Sequence, residues 1–332
     1  MGFRIGECEL RHGLLLAPMA GYTDRAMRLV CHRMGAEYSV SEMVSAKAVV
    51  FGDKKTLSLA KILEDEGKVA IQLFGSEPSV MAEATGLILE RGLGVMPVAI
   101  DINMGCPVNK IFSNGEGSAL MRSPELIEKI TAAAKSATTL PVTVKLRSGI
   151  DSSHINAVEC ALAAESGGAS AVCIHGRTRV QMYGGYADRG IIKEVKSALK
   201  IPVIANGDIL TGSDAVSMLK DTGADGITIG RGAVGNPFIF SEITAALEGR
   251  DYTPPTLDEK ISTAILQLTL AAEDKGERAA IPEARKQIAL YLRSFRGAAA
   301  IRKEINSATT LDEAVRALMM AKEYEVYENE TC

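Results

Sequence analysis

The sequence of 332 residues has no C-x-x-C pair, only four histidines and no long apolar run. Its six cysteines are scattered and share no ligand spacing with the histidines, which argues against a disulfide framework and against a metal site. No run approaches the roughly 20 apolar residues of a membrane-spanning helix. The start of the chain is polar and broken by glycine, so it predicts neither a signal peptide nor a transit peptide. We therefore expect a protein of the reducing cytoplasm that does not contact a membrane.

An excess of positive charge is also missing, because the net charge is −4 at neutral pH. That balance gives no general reason to expect a nucleic-acid partner. The distribution is nevertheless uneven, since residues 275–303 carry eight basic and two acidic side chains, a local balance of +6, and residues 304–332 have a balance of −5. A basic segment of this kind can attract a polyanion, although a solvated helix face is the commoner explanation. Charge alone leaves both interpretations open.

Short apolar runs alternate with alanine-rich amphipathic stretches through most of the chain. Eight runs have strand character, at residues 14–18, 38–43, 69–74, 98–103, 142–146, 171–175, 203–206 and 226–230. Helical stretches lie between most of them, at residues 25–34, 77–91, 124–136, 155–166, 191–199 and 213–221. This alternation predicts a parallel sheet, and eight such units fit a closed (β/α)8 TIM barrel better than an open doubly wound sheet. We place the barrel domain at residues 1–245.

The pattern changes after Arg231, where strand-like runs stop. Pro254 and Pro255 mark a loop, and amphipathic patterns follow at residues 257–275, 281–294, 297–305 and 311–324. They predict an all-helical C-terminal domain at residues 246–332. The basic segment lies inside this domain.

Cys106 lies where an apolar run gives way to glycine, cysteine and proline, in the sequence Asp101-Ile-Asn-Met-Gly-Cys-Pro107. A thiol on the turn after a strand is held by a rigid element and faces a cleft, and Pro107 restricts the chain that follows. Free cysteine is more often a small buried core residue. Cys106 is therefore a catalytic candidate that the rest of the chain must support.

Other polar residues follow the remaining predicted strands, and in a TIM barrel these positions share one face. Gly207 and Gly230 lie in the turns after the last two strands, where backbone N–H groups and Arg231 can bind a phosphate; two ordinary tight turns are the alternative. The chain has no Walker-type lysine loop, which points towards a phosphorylated cofactor or sugar rather than ATP. Lys145 and Gln72 suit the edge of a flavin ring, although a lysine in a buried strand can equally be an ion-pair partner.

The strand-end motifs, taken in order, closely resemble those of the tRNA-dihydrouridine synthases, flavin enzymes that reduce selected uridines in transfer RNA. The matching segments are residues 17–24, 41–45, 72–75, 101–110, 144–147, 175–179, 205–209 and 230–237. Residues 284–291 and the Phe-Arg-Gly-Ala-Ala segment that follows them resemble the bacterial B-type branch in particular. Eight segments in the right order are far more specific than any one of them.

The resemblance implies an FMN-binding TIM barrel that NADPH or NADH reduces, and a helical domain that helps to hold tRNA. No metal and no DNA are expected, and the chain is expected to act as a monomer. Cys106 matches the catalytic cysteine. The matched cofactor contacts are Pro18, Met19, Ala20, Gln72, Lys145, His175, Asn206, Gly207, Asp208, Gly230 and Arg231. The matched substrate contacts are Asn103, Arg147, Arg177 and Arg179, to which the basic segment adds Lys286, Arg293 and Arg296.

The implied reaction is an NAD(P)H-dependent reduction of the C5=C6 bond of uracil, with hydride from flavin N5 to C6 and a proton from Cys106 to C5. A thiol, with a reference pKa of about 8.5, is largely protonated at neutral pH and can act as a general acid. A carboxylate, with a reference pKa of about 4, would normally be ionised. The expected role of Cys106 is thus that of an acid and not of a nucleophile.

The sequence also departs from the family pattern. Gln287 stands where the B-type branch is expected to have histidine, Phe238 and Arg189 stand where tryptophan is common, and the chain has no tryptophan at all. Two other functions remain open. One is an FMN barrel reductase that acts on a free small molecule, and the other is an RNA-binding protein that has kept the barrel as a scaffold.

Overall fold

The computed structural model describes residues 2–293 and 297–331 of the chain. The strands are β1 (Phe3–Ile5), β2 (Cys8–Leu10), β3 (Leu14–Leu16), β4 (Tyr38–Val40), β5 (Val44–Ser45), β6 (Val69–Phe74), β7 (Ala99–Asn103), β8 (Val142–Arg147), β9 (Gly149–Asp151), β10 (His154–Ile155), β11 (Ala171–His175), β12 (Val203–Asn206) and β13 (Gly226–Ile229). The α-helices are α1 (Arg25–Arg33), α2 (Ala46–Val50), α3 (Lys54–Leu59), α4 (Pro78–Glu90), α5 (Asn109–Ser113), α6 (Pro124–Ser136), α7 (Ala157–Ser166), α8 (Arg189–Ala198), α9 (Gly212–Thr222), α10 (Ile239–Leu247), α11 (Leu257–Lys275), α12 (Glu277–Ile288), α13 (Ala298–Ser307) and α14 (Leu311–Thr331).

Eight of these strands form a closed parallel barrel in the order β4–β3–β13–β12–β11–β8–β7–β6, and β6 pairs back with β4. Successive side chains of a strand point alternately into the barrel and towards the surrounding helices. On β11, Ala171 and Cys173 belong to the cluster inside the barrel, whereas Val172 and Ile174 pack between the strands and the surrounding helices. The predicted TIM barrel is confirmed, with strand ends within three residues of the predicted ones.

A hairpin of β1 and β2 precedes the barrel, and the sequence analysis missed it. The two strands are antiparallel and joined by a turn in which Gly6 has a positive φ of 58°. Ile5 and Leu10 are buried in the interior cluster, so the hairpin closes the N-terminal end of the barrel. These two strands are short and carry no continuous apolar run, so the repeated pattern that indicates the barrel strands does not extend to them.

The C-terminal helices α11 to α14 have a hydrophobic core of their own. Thr256 and Glu259 form a capping box at the start of α11, and Gly276, at φ 76°, ends it. The predicted helix at residues 281–294 is wrong at both ends, because α12 runs from Glu277 to Ile288 and contains Pro282 in its interior. None of the described helices is both long and apolar enough to cross a bilayer.

The helical region packs against the barrel through contacts between its helix α11 and helix α1 of the barrel. Lys275 Nζ lies 2.8 Å from Asp24 Oδ2, and Ser241 Oγ donates a hydrogen bond to the carbonyl of Met34. Helix α10 buries Ile239 and Phe240 in the barrel core and runs across the predicted domain boundary between residues 245 and 246. That boundary therefore stays a prediction.

Candidate active site

The carboxyl ends of the parallel strands bring the predicted site residues to one face of the barrel, its mouth. Neighbouring strands are in register there: Asn103 on β7 is paired with Lys145 on β8, and Arg147 is paired with His175 on β11. This register places an amide, an ammonium, a guanidinium and an imidazole side by side. Such a concentration of polar groups at the strand ends is typical of a TIM-barrel active site.

A chain of buried hydrogen bonds runs along one side of the mouth. Thr143 Oγ1 donates to Asp101 Oδ1 at 2.5 Å, and Gln72 Nε2 donates to Asp101 Oδ2 at 2.7 Å. Asn103 Nδ2 donates to Gln72 Oε1 at 2.9 Å, and Asn103 Oδ1 accepts the N–H of Cys106 at 2.9 Å. Burial raises the pKa of Asp101 to about 6, although hydrogen bonds from Thr143 and Gln72 oppose this effect. Asp101 and Thr143 are not among the site residues predicted from the sequence.

Cys106 lies half-buried on the turn after β7. Its carbonyl accepts hydrogen bonds from the N–H and from the hydroxyl of Ser118, and Gly117 packs so closely that a Cβ there would lie 2.9 Å from the Cβ of Cys106. Burial raises the pKa of the Cys106 thiol, and the nearby charges of Arg147 and Lys145 only partly offset that rise. The thiol is therefore protonated at neutral pH, as a general acid requires.

At neutral pH Lys145 is expected to be a cation and His175 to be neutral. Lys145 Nζ donates to Asn206 Oδ1 at 3.2 Å, and Asn206 in turn donates to the carbonyl of Thr228. Burial lowers the pKa of Lys145. Burial also lowers the pKa of His175, and the nearby cations Lys145, Arg147 and Arg177 lower it further. The imidazole is thus neutral. Because the guanidinium of Arg177 can only donate, His175 Nε2 accepts at 3.4 Å and Nδ1 carries the proton.

Arg147 and Arg177 are buried, and both hold loops together. Arg147 donates to the carbonyls of Gly105, Thr178 and Met182, so it joins the Cys106 turn to the loop after β11. Burial lowers its pKa to about 10, which still leaves it a cation at neutral pH.

Arg177 is 1% exposed and donates to the carbonyls of Gly184 and Gly185 and to Asp208. The resemblance placed it in a basic loop beside the substrate. In the structure its charge holds that loop together, and a contact with the substrate stays a prediction.

Arg179 lies nearer the surface and stacks on the ring of Phe112, with its guanidinium carbon 3.7 Å from the ring centroid. It also donates to Asn109 Oδ1 at 2.6 Å. Arg122 stacks on the same ring, at 4.5 Å. The sequence analysis missed Phe112 and Arg122, because neither belongs to a motif that indicates a role.

The two glycine turns fit a phosphate. Within the described residues, the backbone N–H groups of Gly207, Asp208, Gly230 and Arg231 donate to no acceptor, and they lie at the ends of the adjacent strands β12 and β13. Gly207 has φ 128°, and a Cβ there would meet the Cβ of Ala187 at 2.5 Å, so a side chain is excluded. The carboxylate of Asp208 is already bound to Arg177, to Arg231 at 3.3 Å and to the N–H of Ala187, which leaves its own N–H as its contribution.

The first loop of the barrel carries the remaining predicted cofactor contacts, Pro18, Met19 and Ala20. Met19 donates its N–H to the hydroxyl of Thr23 at 2.9 Å, and the same hydroxyl donates to the carbonyl of Ala17. The loop is thereby held as a rigid turn with Ala20 exposed. Together with the strand-end amides and the glycine turns, these residues fit a ring system that carries a phosphate.

The predicted basic contacts of the helical region divide into two kinds. Lys286 and Arg293 are exposed, whereas Arg296 lies outside the described residues. Lys275, which contributed to the positive balance of the segment, is bound to Asp24 and to Glu283. Arg285 donates to the carbonyl of Ala308. The basic segment is therefore only partly available to a partner.

The departures from the family pattern have structural roles. Gln287 is buried, donates to the carbonyl of Tyr22 in the first barrel loop at 3.3 Å, and accepts from Gln267 at 2.8 Å. Phe238 packs in the core of the helical region. Arg189, the first residue of α8, binds Asp221 at 2.6 Å.

Comparison with known proteins reveals similarity along the whole chain. A family model described as dihydrouridine synthase (Dus) matches residues 15–326. A probable tRNA-dihydrouridine synthase of Rickettsia conorii is 40% identical over 305 residues, which are 91% of each chain. The tRNA-dihydrouridine synthase B of Vibrio cholerae is 40% identical over 316 residues, 95% of this chain and 97% of that protein.

Among solved structures, histamine dehydrogenase from Rhizobium sp. 4-9 is similar, with a TM-score of 0.55 and 13% identity. The match covers 81% of this chain and 50% of that one, so the chain spans half the length of that protein. At this identity the likeness concerns the fold alone. The family match and the B-type relatives confirm the resemblance read from the motifs, and the chain belongs to the dihydrouridine synthase family.

Proposed function

We propose that the protein is a B-type tRNA-dihydrouridine synthase, which uses FMN and NADPH or NADH to reduce the C5=C6 bond of selected uridines in tRNA. The observation that carries the proposal is the Cys106 turn: a protonated thiol held by Asn103 at the mouth of the barrel, beside Lys145 and Arg147. The family match and the relatives named for this activity support it.

The residues of the mouth suit FMN. The unpaired N–H groups of the turns after β12 and β13, with the charge of Arg231, would hold its phosphate. Gln72 and Lys145 would meet the polar edge of its ring, with the loop of Pro18 to Ala20 alongside. FMN, when bound and reduced by NADPH or NADH, supplies the hydride that reaches uracil C6.

Cys106 then serves as the general acid at uracil C5. Negative charge develops at C5 and at the C4 oxygen as C6 is reduced, and a proton must reach C5 to complete the reaction. Because burial raises the thiol pKa, Cys106 holds its proton until that charge appears. Asn103 orients the turn that bears the thiol, and the cations Lys145 and Arg147 stabilise the developing charge.

The substrate base must leave the folded tRNA to reach this mouth, as in base flipping. Arg179, already ordered by Phe112, lies at the rim and suits a phosphate next to the target nucleotide. Lys286 and Arg293 extend a basic surface onto the helical region. Arg296, which lies outside the described residues, is assigned to the same surface from the charge of the basic segment in the sequence. We place this activity in the cytoplasm and assign it to a monomer.

Complementation tests the proposal. The chain, or its Cys106→Ala variant, is expressed in bacteria that lack their own dihydrouridine synthases, and dihydrouridine in total tRNA is mapped by mass spectrometry. We expect the wild-type chain to restore dihydrouridine at specific positions and the variant to restore little or none. Reduction of free uridine but not of tRNA would favour a small-molecule reductase. Purified protein that binds no flavin, even after reconstitution, would favour the RNA-binding scaffold.

A further inference from the structure

We propose that Asp101 is a positioning residue: its carboxylate, together with the backbone N–H groups of the Cys106 turn, fixes which way the amides of Gln72 and Asn103 face, so that both present N–H donors to the mouth. The inference rests on the proposed function for the identity of the groups that receive those donors. It concerns Asp101, which is 4% exposed and to which the resemblance assigns no contact with cofactor or substrate.

The order of donors and acceptors is fixed at both ends of the chain of hydrogen bonds. At one end, the backbone N–H groups of Gly105 and Cys106 can only donate, so the atom of Asn103 that faces them, 3.2 and 2.9 Å away, is the oxygen. The nitrogen of Asn103 therefore faces Gln72. At the other end, an ionised Asp101 can only accept, so Gln72 turns its nitrogen to it and its oxygen to Asn103.

Each amide nitrogen has two N–H groups and uses one of them inside this chain of hydrogen bonds. The second N–H of Gln72 and of Asn103 remains as a donor. Under the proposed function these donors meet carbonyl oxygens of the flavin ring and of uracil. If the amide of Gln72 were reversed, it would present an acceptor to another acceptor.

The surroundings of the three residues make this order stable. Gln72 is fully buried, Asp101 is 4% exposed and Thr143 is 5% exposed. Water is therefore a poor substitute for any lost partner, and each broken bond leaves a buried polar atom unsatisfied. A carboxylate in the interior of a barrel is costly to bury, and the orientation of two amides gives it a function beyond packing.

Reversing one bond of this chain provides a test that does not depend on activity. Gln72→Glu places two carboxyl groups face to face. Adding Asp101→Asn restores a donor between them, because the introduced amide can donate to the introduced carboxylate and still accept from Thr143. The double variant has the same size and net charge as the wild type. The measurement is the change in melting temperature that Asp101→Asn causes in two flavin-free backgrounds, the wild type and Gln72→Glu. We expect that change to be more stabilising in the Gln72→Glu background by at least about 2 °C. Equal shifts in the two backgrounds would overturn the proposal.

FMN affinity, measured by quenching of flavin fluorescence, tests the donors themselves. The double variant keeps the chain of hydrogen bonds but replaces the free N–H at position 72 by an acceptor, so we expect FMN to bind at least about tenfold more weakly. Asp101→Asn alone, whose oxygen can still face Gln72, should retain most of the affinity, whereas Asp101→Leu should lose it. Wild-type affinity in the double variant or in the leucine variant would contradict the proposal.

These measurements distinguish the proposal from the proposed function. If wild-type protein binds FMN but modifies no tRNA, the function fails and the stability test still decides the orientation of the amides. If wild-type protein modifies tRNA but the stability shifts are equal, Asp101 is not a positioning residue and the function stands.

Discussion

Asn103 and Cys106 are joined by a hydrogen bond of 2.9 Å from the Cys106 N–H to the Asn103 side-chain oxygen. A residue at the end of a rigid strand therefore determines the conformation of the turn that bears the thiol. The same oxygen also accepts the N–H of Gly105, so the turn has two attachments to one side chain. Chemistry at the thiol consequently depends on an amide that lies inside the barrel.

Replacement of Cys106 by alanine should leave FMN bound and reducible but slow uridine reduction by at least about 100-fold, because the proton donor is lost and the cofactor contacts remain. The measurement is single-turnover reduction of unmodified tRNA by pre-reduced enzyme. Cys8→Ala, in the hairpin at the other end of the barrel, is the matched control and should react at the wild-type rate. Equal rates in the two variants would remove Cys106 from the mechanism.

The exposed cations Lys286 and Arg293 should contribute to tRNA affinity. Lys286→Glu or Arg293→Glu is expected to weaken binding and to reduce its dependence on salt, since each removes a phosphate contact. Flavin content should not change. Binding is measured at several salt concentrations. Lys200→Glu, an equally exposed lysine before β12, is the control. If it weakens binding as much as the other two variants, net charge and not a docking surface explains the effect.

The ion pair of Lys275 and Asp24 should stabilise the contact between the helical region and the barrel. Both side chains are partly buried, at 24% and 11% exposed, so we expect a coupling of about 1 kcal/mol. A double-mutant cycle of Lys275→Met and Asp24→Asn, followed by denaturant unfolding, measures it. Asparagine is a suitable partner, because it retains the N-cap that Asp24 provides for α1. Additive effects would show that the pair contributes nothing beyond its separate residues.

Asp101 should make the stability of the protein depend on pH. Burial raises its pKa to about 6, above its value in the unfolded chain, so the folded chain binds the proton more tightly. The associated stability is fully present below the unfolded pKa and is lost as the pH rises through about 6. Asp101→Asn removes this dependence. Its melting temperature relative to the wild type should therefore rise from pH 4 to pH 7, by the equivalent of at most about 3 kcal/mol.

The control for that experiment is Asp53→Asn. Hydrogen bonds from Thr56 lower the pKa of Asp53, so its contribution is present at neutral pH and is lost on acidification. The melting temperature of Asp53→Asn relative to the wild type should therefore fall from pH 4 to pH 7, opposite to the change expected for Asp101→Asn. A pH-independent difference for Asp101→Asn would mean that folding does not raise the pKa of this carboxyl.

The barrel could be predicted from the sequence because its signal is repeated, with an apolar run and an amphipathic stretch in each of several units. The β1–β2 hairpin has no such repetition, and its residues are recognised as a unit only once Ile5 and Leu10 meet the interior of the barrel. Contacts between residues distant in sequence stabilise the hairpin, and a local sequence pattern cannot indicate such contacts.

The site could be located from the sequence but its internal order could not. Strand-end motifs indicated Cys106, Gln72 and Lys145, and the same reasoning placed Arg177 in a basic loop without indicating what holds that loop together. A motif reports the type of side chain and not its partners. The bonds of Arg177 to Gly184, Gly185 and Asp208 depend on how the loop after β11 folds back.

The hairpin that closes the N-terminal end of the barrel has a consequence for the order in which ligands enter and leave. In the part of the chain that the structure describes, Ile5 and Leu10 block the end opposite the mouth. Under the proposed function, cofactor, reductant and nucleotide must then share one entrance. We expect the nicotinamide to depart before the nucleotide can enter, and a docked tRNA to prevent the escape of the flavin beneath it.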